Sequence, residues 1–430
     1  MRKSRILSVA VGAAVALGFS AGALATDGYQ LIGIGQYAVG MAGAVVAAPD
    51  DPLSAAMSNP AGLALLTPQA AFSAEIFNPT RSTNFGFGET GSSSNVYGVP
   101  AIGWVAPAFA KNWVFGGGVY GTSGLGVNYL QPNTPFGTIQ AYSSITFMQM
   151  APSVAWKVND RLAVGASLNL AAEQGSFQQT ASGFQNFYPD TPGGLNLASP
   201  SWAYGVGATL GVLYKVNDMV TLGATYKSPI AFTSMTWQET SELGSNPNGS
   251  PVTGGPGQYS GHLNYPQQVA LGIAIRPIPQ WLISVEGQWI NWRATMNTFN
   301  IYGPWSGQSS VGLPMHWSNQ WVANIGTQYD VNNWLQVRAG YTYGSNPISN
   351  TDTGSNLIFP AVVENAVTVG STQKLGMGWK LTEAYMHEFS NTISGTSPYA
   401  GAAQQFGIPI QPASATLTEN SFGIQVGYDF

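Results

Sequence analysis

Apolar residues alternate with polar or small residues in repeated runs along the chain after residue 68. The last run shows the alternation best, and one of its faces carries Phe422, Ile424, Val426, Tyr428 and Phe430. Its other face carries Ser421, Gly423, Gln425, Gly427 and Asp429. Successive side chains of a strand point to opposite faces of its sheet. The pattern therefore predicts strands with one apolar face and one polar face.

About fourteen such runs can be counted, and bacterial outer-membrane barrels have even numbers of strands. The runs lie near 69–78, 96–109, 113–122, 142–157, 161–173, 201–215, 219–229, 261–276, 281–292, 317–330, 334–345, 362–374, 377–389 and 417–430. Some connections are short polar turns, and three of these are related: WKVND at 156–160, YKVND at 214–218 and YDVNN at 329–333. The others are long and rich in Gly, Pro, Ser and Asn, near 79–94, 123–141, 174–200, 230–260, 293–316, 346–361 and 391–416.

Short turns that alternate with long loops are typical of an outer-membrane barrel, with the turns in the periplasm and the loops outside. A soluble β-sandwich has the same period of two, so the composition has to distinguish a barrel from a sandwich. Only 8% of the residues are charged, against about 25% in soluble globular chains, and 12% are aromatic, as interface girdles require. A sheet in lipid cannot leave an edge unpaired. We therefore predict a closed, all-β, antiparallel transmembrane barrel.

The first 25 residues have the three parts of a secretory signal peptide. Arg2, Lys3 and Arg5 form a basic start, residues 6–19 are mostly apolar, and residues 23–25 (ALA) form a cleavage site. The apolar run is shorter than the roughly 20 residues of a transmembrane helix. We expect export and removal of residues 1–25, followed by a plug at 26–67 and a barrel at 68–430.

Residues 26–67 differ from the rest of the chain because they show neither strand alternation nor a long helical stripe. Asp51 is a suitable N-cap with Pro52 at the first helical position, and Asn59 and Pro60 repeat that arrangement. A segment with so little apolar bulk cannot fold alone. We therefore predict that it forms short helices inside the barrel, and we call it the hatch.

The hatch sequence GMAGAVVAAPDDPLSAAMSNPAGLA, centred on Asn59, Pro60, Ala61 and Gly62, resembles the N-terminal hatch of the FadL-type outer-membrane transporter family. The resemblance extends more weakly over the whole mature chain. It implies uptake of hydrophobic small molecules, either long-chain fatty acids or aromatic hydrocarbons, into an apolar pocket behind the hatch. It also implies a hatch rearrangement and sideways release at a kinked strand, which we expect near Gly116, Gly117 and Gly118.

Other classes of function find little support in the sequence. Three of the 14 basic residues lie in the signal peptide, which leaves 11 against 19 acidic residues and a net charge of −8, so a nucleic-acid partner is not expected. The chain has no cysteine and no common hydrolase or metalloprotease motif. His262, His316 and His387 lie far apart near predicted strand ends, where interface polar residues are expected. We predict no enzyme, no cofactor and no metal.

Three charged residues are predicted to face the lumen by their parity in the strands: Lys227, Glu286 and Arg338. A lumenal cation could bind a fatty-acid carboxylate. The alternative is an ion pair within the wall, such as Arg338 with Glu286, because charges inside a barrel usually pair. Most other basic residues lie at or beside the short turns and are expected to face water and headgroups: Lys111, Lys157, Arg161, Lys215, Arg276, Lys374 and Lys380.

The chain ends on Phe430, on the apolar face of the last strand, as in the C-terminal signature by which such barrels are recognised for assembly. The expected partners are a hydrophobic ligand, outer-membrane lipid and the barrel-assembly machinery, and the expected state is a monomer in the outer membrane of a Gram-negative bacterium. A non-specific porin or a structural barrel remains the alternative function. A porin has a charged constriction and no plug, so the low charge and the hatch favour the transporter.

Overall fold

A computed structural model of the chain describes residues 27–183, 194–239, 254–305 and 307–430. The predicted signal peptide at 1–25 lies outside the described residues. Within them, fourteen antiparallel strands pair in chain order, and β1 pairs with both β2 and β14, so the barrel is closed. The strands are β1 Gln69–Asn84, β2 Tyr97–Val105, β3 Trp113–Thr134, β4 Gly137–Lys157, β5 Leu162–Ala181, β6 Gly194–Lys215, β7 Val220–Lys227, β8 Gln268–Ile278, β9 Trp281–Ile290, β10 Gln320–Asp330, β11 Leu335–Gly344, β12 Asn365–Gly376, β13 Trp379–Gly395 and β14 Ala413–Asp429.

The predicted barrel and its strand number are confirmed, and the alternation has the predicted sense. Phe422, Ile424 and Val426 are exposed on the outer face of β14, whereas Ser421 and Gln425 are buried inside. Phe430 is 69% exposed on the outer side, and its backbone amide donates to the Pro68 carbonyl at 3.0 Å. The proposed role of Phe430 in assembly stays a prediction.

The three related turns share one geometry, which explains their common asparagine. The side-chain oxygens of Asn159, Asn217 and Asn332 each accept hydrogen bonds from the backbone amides two and three residues later, at 2.8–3.0 Å. This local bond closes a tight turn without help from the rest of the barrel. The predicted short turns are therefore confirmed.

The predicted loop at 123–141 is wrong, because β3 and β4 continue through it to a tight turn after Thr134. In this extension the apolar side chains point to the inside of the barrel, whereas in the membrane part they point outward. Leu125, Val127 and Tyr129 are buried inside, and Leu130 is exposed. An extension above the bilayer has water outside and an apolar core inside, so its pattern resembles that of a soluble hairpin. The glycine and polar content of the segment concealed the strand.

The loop end of the barrel is filled by a large aromatic cluster and by short elements. The short strands are Glu89–Gly91, Ala231–Phe232, Met235–Glu239, Gly257–Gly261, Thr298–Tyr302 and Ser310–Pro314, and the short helices are the 3-10 turns Trp292–Ala294 and Asn350–Asn356 and the α-helix Ala400–Gln405. Four of these strands form a second sheet. None of the helices in the described residues combines the length and apolar character needed to cross a membrane.

Candidate functional site: the hatch and the aromatic pocket

The hatch lies in the lumen and contains α1 Gln36–Gly40, α2 Pro52–Met57 and a 3-10 helix at Pro60–Leu65. The predicted cap at Asp51 is present: its carboxylate accepts from the Ser54 amide at 2.7 Å, and the Ser54 hydroxyl accepts from the Asp51 amide at 3.2 Å. Helix α1 was not predicted from the sequence. Its first amide, that of Gln36, donates to the Gln425 side chain at 2.8 Å, so the helix starts on a partner that is distant in sequence.

Asn59 joins three parts of the protein. Its side-chain oxygen accepts from the Ala61 amide at 3.1 Å, which caps the 3-10 helix. Its side-chain amide donates to the Val46 carbonyl at 2.7 Å and to the Val212 carbonyl of β6 at 3.1 Å. Gly62 packs against Pro49 with no room for a Cβ atom. The Asn-Pro-Ala-Gly motif therefore anchors the hatch both to itself and to the wall.

The wall makes room for the hatch with a ring of glycines at one level of the lumen. In the described residues, ten strands each contribute one glycine at which an added Cβ atom would lie within 3.2 Å of a hatch atom. These are Gly103, Gly116, Gly165, Gly211, Gly223, Gly272, Gly326, Gly340, Gly370 and Gly423. The hatch therefore packs directly against the wall backbone at these positions, so wall side chains there would displace it.

Glu286 binds the hatch through a single carboxylate oxygen. That oxygen accepts from the Val45 amide at 3.0 Å and from the Val46 amide at 2.9 Å, and the side chain is buried. An ion pair between Glu286 and Arg338 is not found among the described residues. Parity placed both residues correctly on the lumenal face but could not show that the partner of Glu286 is the hatch backbone.

Arg338 lies beneath the hatch, towards the short-turn end of the barrel. Its guanidinium donates to Gln328 at 2.8 Å, Thr372 at 2.8 Å and Gln336 at 3.1 Å, and it lies 4.7 Å from the ring centre of Tyr37. It also lines a cavity of about 340 Å³ below the hatch. With these partners, Arg338 supports the seat of the hatch from below, and the hatch separates it from the loop end.

Lys227 lies in the lumen beside the hatch. It lines two small cavities, which Gln30, Met57 and Gln268 also line. The carboxylates of Glu286 and Asp27 act on it electrostatically, yet it makes no ion pair or hydrogen bond in the part of the chain that the structure describes. Of the predicted ligand-binding residues, Lys227 is therefore the one whose side chain has no bonded partner among the described residues, and its role in ligand binding stays a prediction.

The start of the hatch occupies an aromatic pocket at the loop side. The ring of Tyr29 stacks on Phe147 with centroids 5.3 Å apart, and it lies 4.4 Å from Trp292, 5.9 Å from Trp317 and 6.0 Å from Tyr265. We call these four partner rings the aromatic pocket. Tyr29 is completely buried. A tyrosine ring of the hatch itself thus fills a space of the size and chemistry of a small aromatic molecule.

The same hatch segment closes a gap in the wall. Pairing of β2 with β3 ends at Ala101 and Tyr120 in the described residues, and above this point β3 pairs with the hatch instead. The Leu31 amide donates to the Thr122 carbonyl at 3.1 Å, and the Gly124 amide donates to the Tyr29 carbonyl at 3.0 Å. The wall gap between β2 and β3 is therefore covered from inside by residues 29–31.

The geometry of β3 changes next to this gap. Gly117 has a φ of 151°, and the register of β3 against β4 shifts between Gly121 and Ser123. Higher up, the Arg81 guanidinium of β1 donates to the Gly126 carbonyl of β3. The irregular part of the strand thus includes the glycine run that was expected to hold a kink.

Residues 12–430 match the model of the family described as outer membrane protein transport protein (OMPP1/FadL/TodX). The chain belongs to this family. A comparison with curated proteins gave no significant match.

Solved structures share the fold of this FadL/TodX-family barrel at low sequence identity. A Pseudomonas aeruginosa FadL homologue has a TM-score of 0.72 and 16% identity, covering 94% of this chain and 100% of its own. The Pseudomonas putida toluene transporter TodX has a TM-score of 0.72 and 19% identity, with the same coverage. The Ralstonia pickettii toluene transporter TbuX has a TM-score of 0.68 and 19% identity, covering 93% of this chain and 99% of its own.

The FadL/TodX-family site contains residues that the sequence analysis did not single out. Tyr29 lies three residues inside the predicted start of the plug, and Phe147, Trp292 and Trp317 lie more than 100 residues from it in the chain. These three rings fall within the predicted strand runs 142–157, 281–292 and 317–330. The strand pattern therefore gave no signal that they share a pocket with Tyr29.

Proposed function

We propose that this FadL/TodX-type barrel takes up hydrophobic small molecules, long-chain fatty acids or aromatic hydrocarbons, by a hatch rearrangement followed by lateral release. One observation carries the proposal: residues 29–31 both place Tyr29 in the aromatic pocket and cover the wall gap between β2 and β3. A ligand that enters the pocket must displace Tyr29. Because the segment is short, that displacement also withdraws the cover from the gap.

The energetics of the exchange are close to balanced. Burial of a large apolar side chain contributes roughly 1.5–3 kcal/mol, and a ligand ring of similar size gains a similar amount when it replaces Tyr29. A ligand shifts the hatch only to the extent that it prefers one arrangement over the other. The ligand concentration can therefore decide which of the two rings occupies the pocket. The similar structures include two proteins named as toluene transporters, which supports an aromatic ligand.

The alternative is a non-specific porin, which conducts ions through an open lumen. Here the hatch fills the lumen at the level of the glycine ring, and both Glu286 and Arg338 bind protein groups rather than lining an open constriction. These contacts favour the gated transporter. Large, steady single-channel openings of the purified protein in a planar bilayer would support the porin instead.

The proposal can be tested by removal of the Tyr29 ring. In Tyr29→Ala, we expect tighter binding of a small aromatic hydrocarbon such as p-xylene, because the ligand no longer competes with the ring. Tyr129→Ala is the matched control, since Tyr129 is an equally buried tyrosine of the same apolar cluster but lies on β3. Binding is measured by quenching of tryptophan fluorescence, because Trp292 and Trp317 line the aromatic pocket. Equal affinity in the wild type and both variants would contradict the displacement step.

A further inference from the structure

Glu173 on β5 is a buried carboxyl group that has no role in the proposed transport mechanism. The side chain is 0% exposed, and within the described residues neither of its carboxylate oxygens has a donor at full hydrogen-bond geometry. The backbone amide of Leu263 interacts with the carboxyl group. Two other buried acids of the lumen have clear partners, since Glu286 binds hatch amides and Glu75 accepts from Gln36.

The surroundings of Glu173 place it at the aromatic pocket. In the barrel sheet it lies directly opposite Phe147 of β4 and Ala203 of β6, and both neighbours are buried. Phe147 is the ring on which Tyr29 stacks, and Tyr29 and Glu173 are near enough to act on each other electrostatically. The carboxyl group therefore borders the space that the Tyr29 ring fills.

Among the described residues, the hydroxyl group of Tyr29 is also buried without a hydrogen-bond partner. A hydroxyl group and a carboxyl group thus lie at one aromatic pocket, and no described side chain bonds to either of them. Burial of a polar group without a hydrogen bond is unfavourable, so an apolar residue at position 173 would suit a pocket that served hydrocarbons alone. The hatch backbone fixes the position of the Tyr29 ring, whereas a free ligand can move to reach Glu173.

We infer that the aromatic pocket takes aromatic molecules that carry one hydrogen-bond donor, with Glu173 as the acceptor. The inference rests on the proposed function, because it assumes that a ligand replaces Tyr29. A carboxyl group retains an acceptor oxygen whether or not it is protonated. The ring of the ligand packs against Phe147 and its neighbours, while the single donor satisfies Glu173. Glu173 is then the residue that selects donor-bearing aromatics over plain hydrocarbons.

The test compares p-cresol with p-xylene, which differ by a hydroxyl group in place of a methyl group. Both are titrated into the purified full-length protein in detergent, and quenching of tryptophan fluorescence reports binding. We expect the wild type to bind p-cresol about tenfold more tightly or better, as expected for a hydrogen bond to a buried acceptor. In Glu173→Leu the preference should vanish and p-xylene should bind more tightly. Glu173→Gln, which keeps an acceptor oxygen, should retain most of the preference for p-cresol.

Glu388→Leu is the matched control, because Glu388 is a buried lumenal acid on β13 and is not a neighbour of Phe147 in the sheet. It should leave the preference for p-cresol unchanged. Heat-modifiable mobility on gels shows that each variant is folded, and Glu173→Gln carries the test should Glu173→Leu fail to fold. An unchanged preference in folded Glu173→Leu, or no preference in the wild type, would overturn the inference about Glu173. Failure of both compounds to bind the wild type and Tyr29→Ala would instead overturn the proposed function.

Discussion

A single methyl group on the wall should unseat the hatch. A Cβ atom at Gly165 of β5 would lie 2.6 Å from the Pro60 carbonyl oxygen, and closer still to the Ala61 nitrogen. These are backbone atoms of the Asn-Pro-Ala-Gly motif, so no side-chain rotation can relieve the clash. In Gly165→Ala the 3-10 helix has to move away from β5, and it is held there by the Asn59 side chain, which also bonds to the Val212 carbonyl.

The size of the effect follows from the contact distance. Ordinary carbon contacts lie near 3.5–4.0 Å, so the hatch has to shift by about 1 Å. Overpacking of this kind costs roughly 1–3 kcal/mol. The barrel is closed by its own strand pairs and does not depend on the hatch. We therefore expect the overpacking to destabilise the bound position of the hatch and not the barrel. About 1.4 kcal/mol corresponds to a factor of ten, so the unseated fraction should rise by roughly 5-fold to 150-fold.

The assay is single-channel recording in a planar bilayer, with limited proteolysis of the hatch as a second measure. Gly287→Ala is the control, because Gly287 lies on the exposed outer face of β9 and a Cβ atom there would meet nothing within 4 Å. Gly165→Ala should open more often and expose the hatch to protease, while both variants keep heat-modifiable barrels. Identical opening frequency and protease resistance in the two variants would refute the idea that the glycine ring seats the hatch.

Three further predictions concern the hatch contacts, the lumenal cations and the C-terminus. Glu286→Ala should raise the protease sensitivity of the hatch, because two backbone amides lose their acceptor. A hydrogen bond to a charged group contributes about 1.5–3 kcal/mol. An unchanged rate of hatch cleavage would contradict this prediction. Lys227→Met should weaken fatty-acid binding by about 1.5–3 kcal/mol and leave p-xylene binding unchanged. Arg338→Met should instead loosen the hatch and change the binding of both ligands. Equal losses of fatty-acid and p-xylene binding in Lys227→Met would indicate a structural role for Lys227. Deletion of Phe430 should lower the amount of folded barrel in the outer membrane without affecting secretion, and normal levels would count against an assembly signal.

The sequence predicted the wall well because strand alternation is a local signal. The parity of Lys227, Glu286 and Arg338 gave their lumenal orientation correctly. Their roles could not be predicted, because parity fixes the face of a side chain but not its partner across the lumen. Glu286 binds amides of the hatch, and the hatch has no periodicity from which its path can be inferred.

The aromatic pocket could not be predicted for a related reason. Its four rings come from β4 and from the segments that flank β8, β9 and β10, and only the closure of the barrel brings them together. The hatch caps at Asp51 and Asn59 were predictable because N-caps depend on neighbouring residues. Helix α1 was not, because the group that binds its first amide is Gln425, near the other end of the chain.

We propose that residues 29–31 must leave the wall for transport to occur. Gln30 and Ser123 face each other across an antiparallel bridge, and the flanking bonds join Leu31 to Thr122 and Gly124 to Tyr29. The Cα atoms of such a non-hydrogen-bonded pair lie about 4.5 Å apart, within the disulfide range of about 4.4–6.8 Å. The chain has no cysteine of its own, so Gln30→Cys with Ser123→Cys can form a single defined disulfide.

The decisive measurement is hydrocarbon uptake into proteoliposomes by this double variant, oxidised and then reduced, with each single variant as a control. Oxidised protein should not transport, while ligand still binds at the outer loops, and reduction should restore uptake to the rate of the single variants. Uptake by the fully oxidised protein at the wild-type rate would contradict the account.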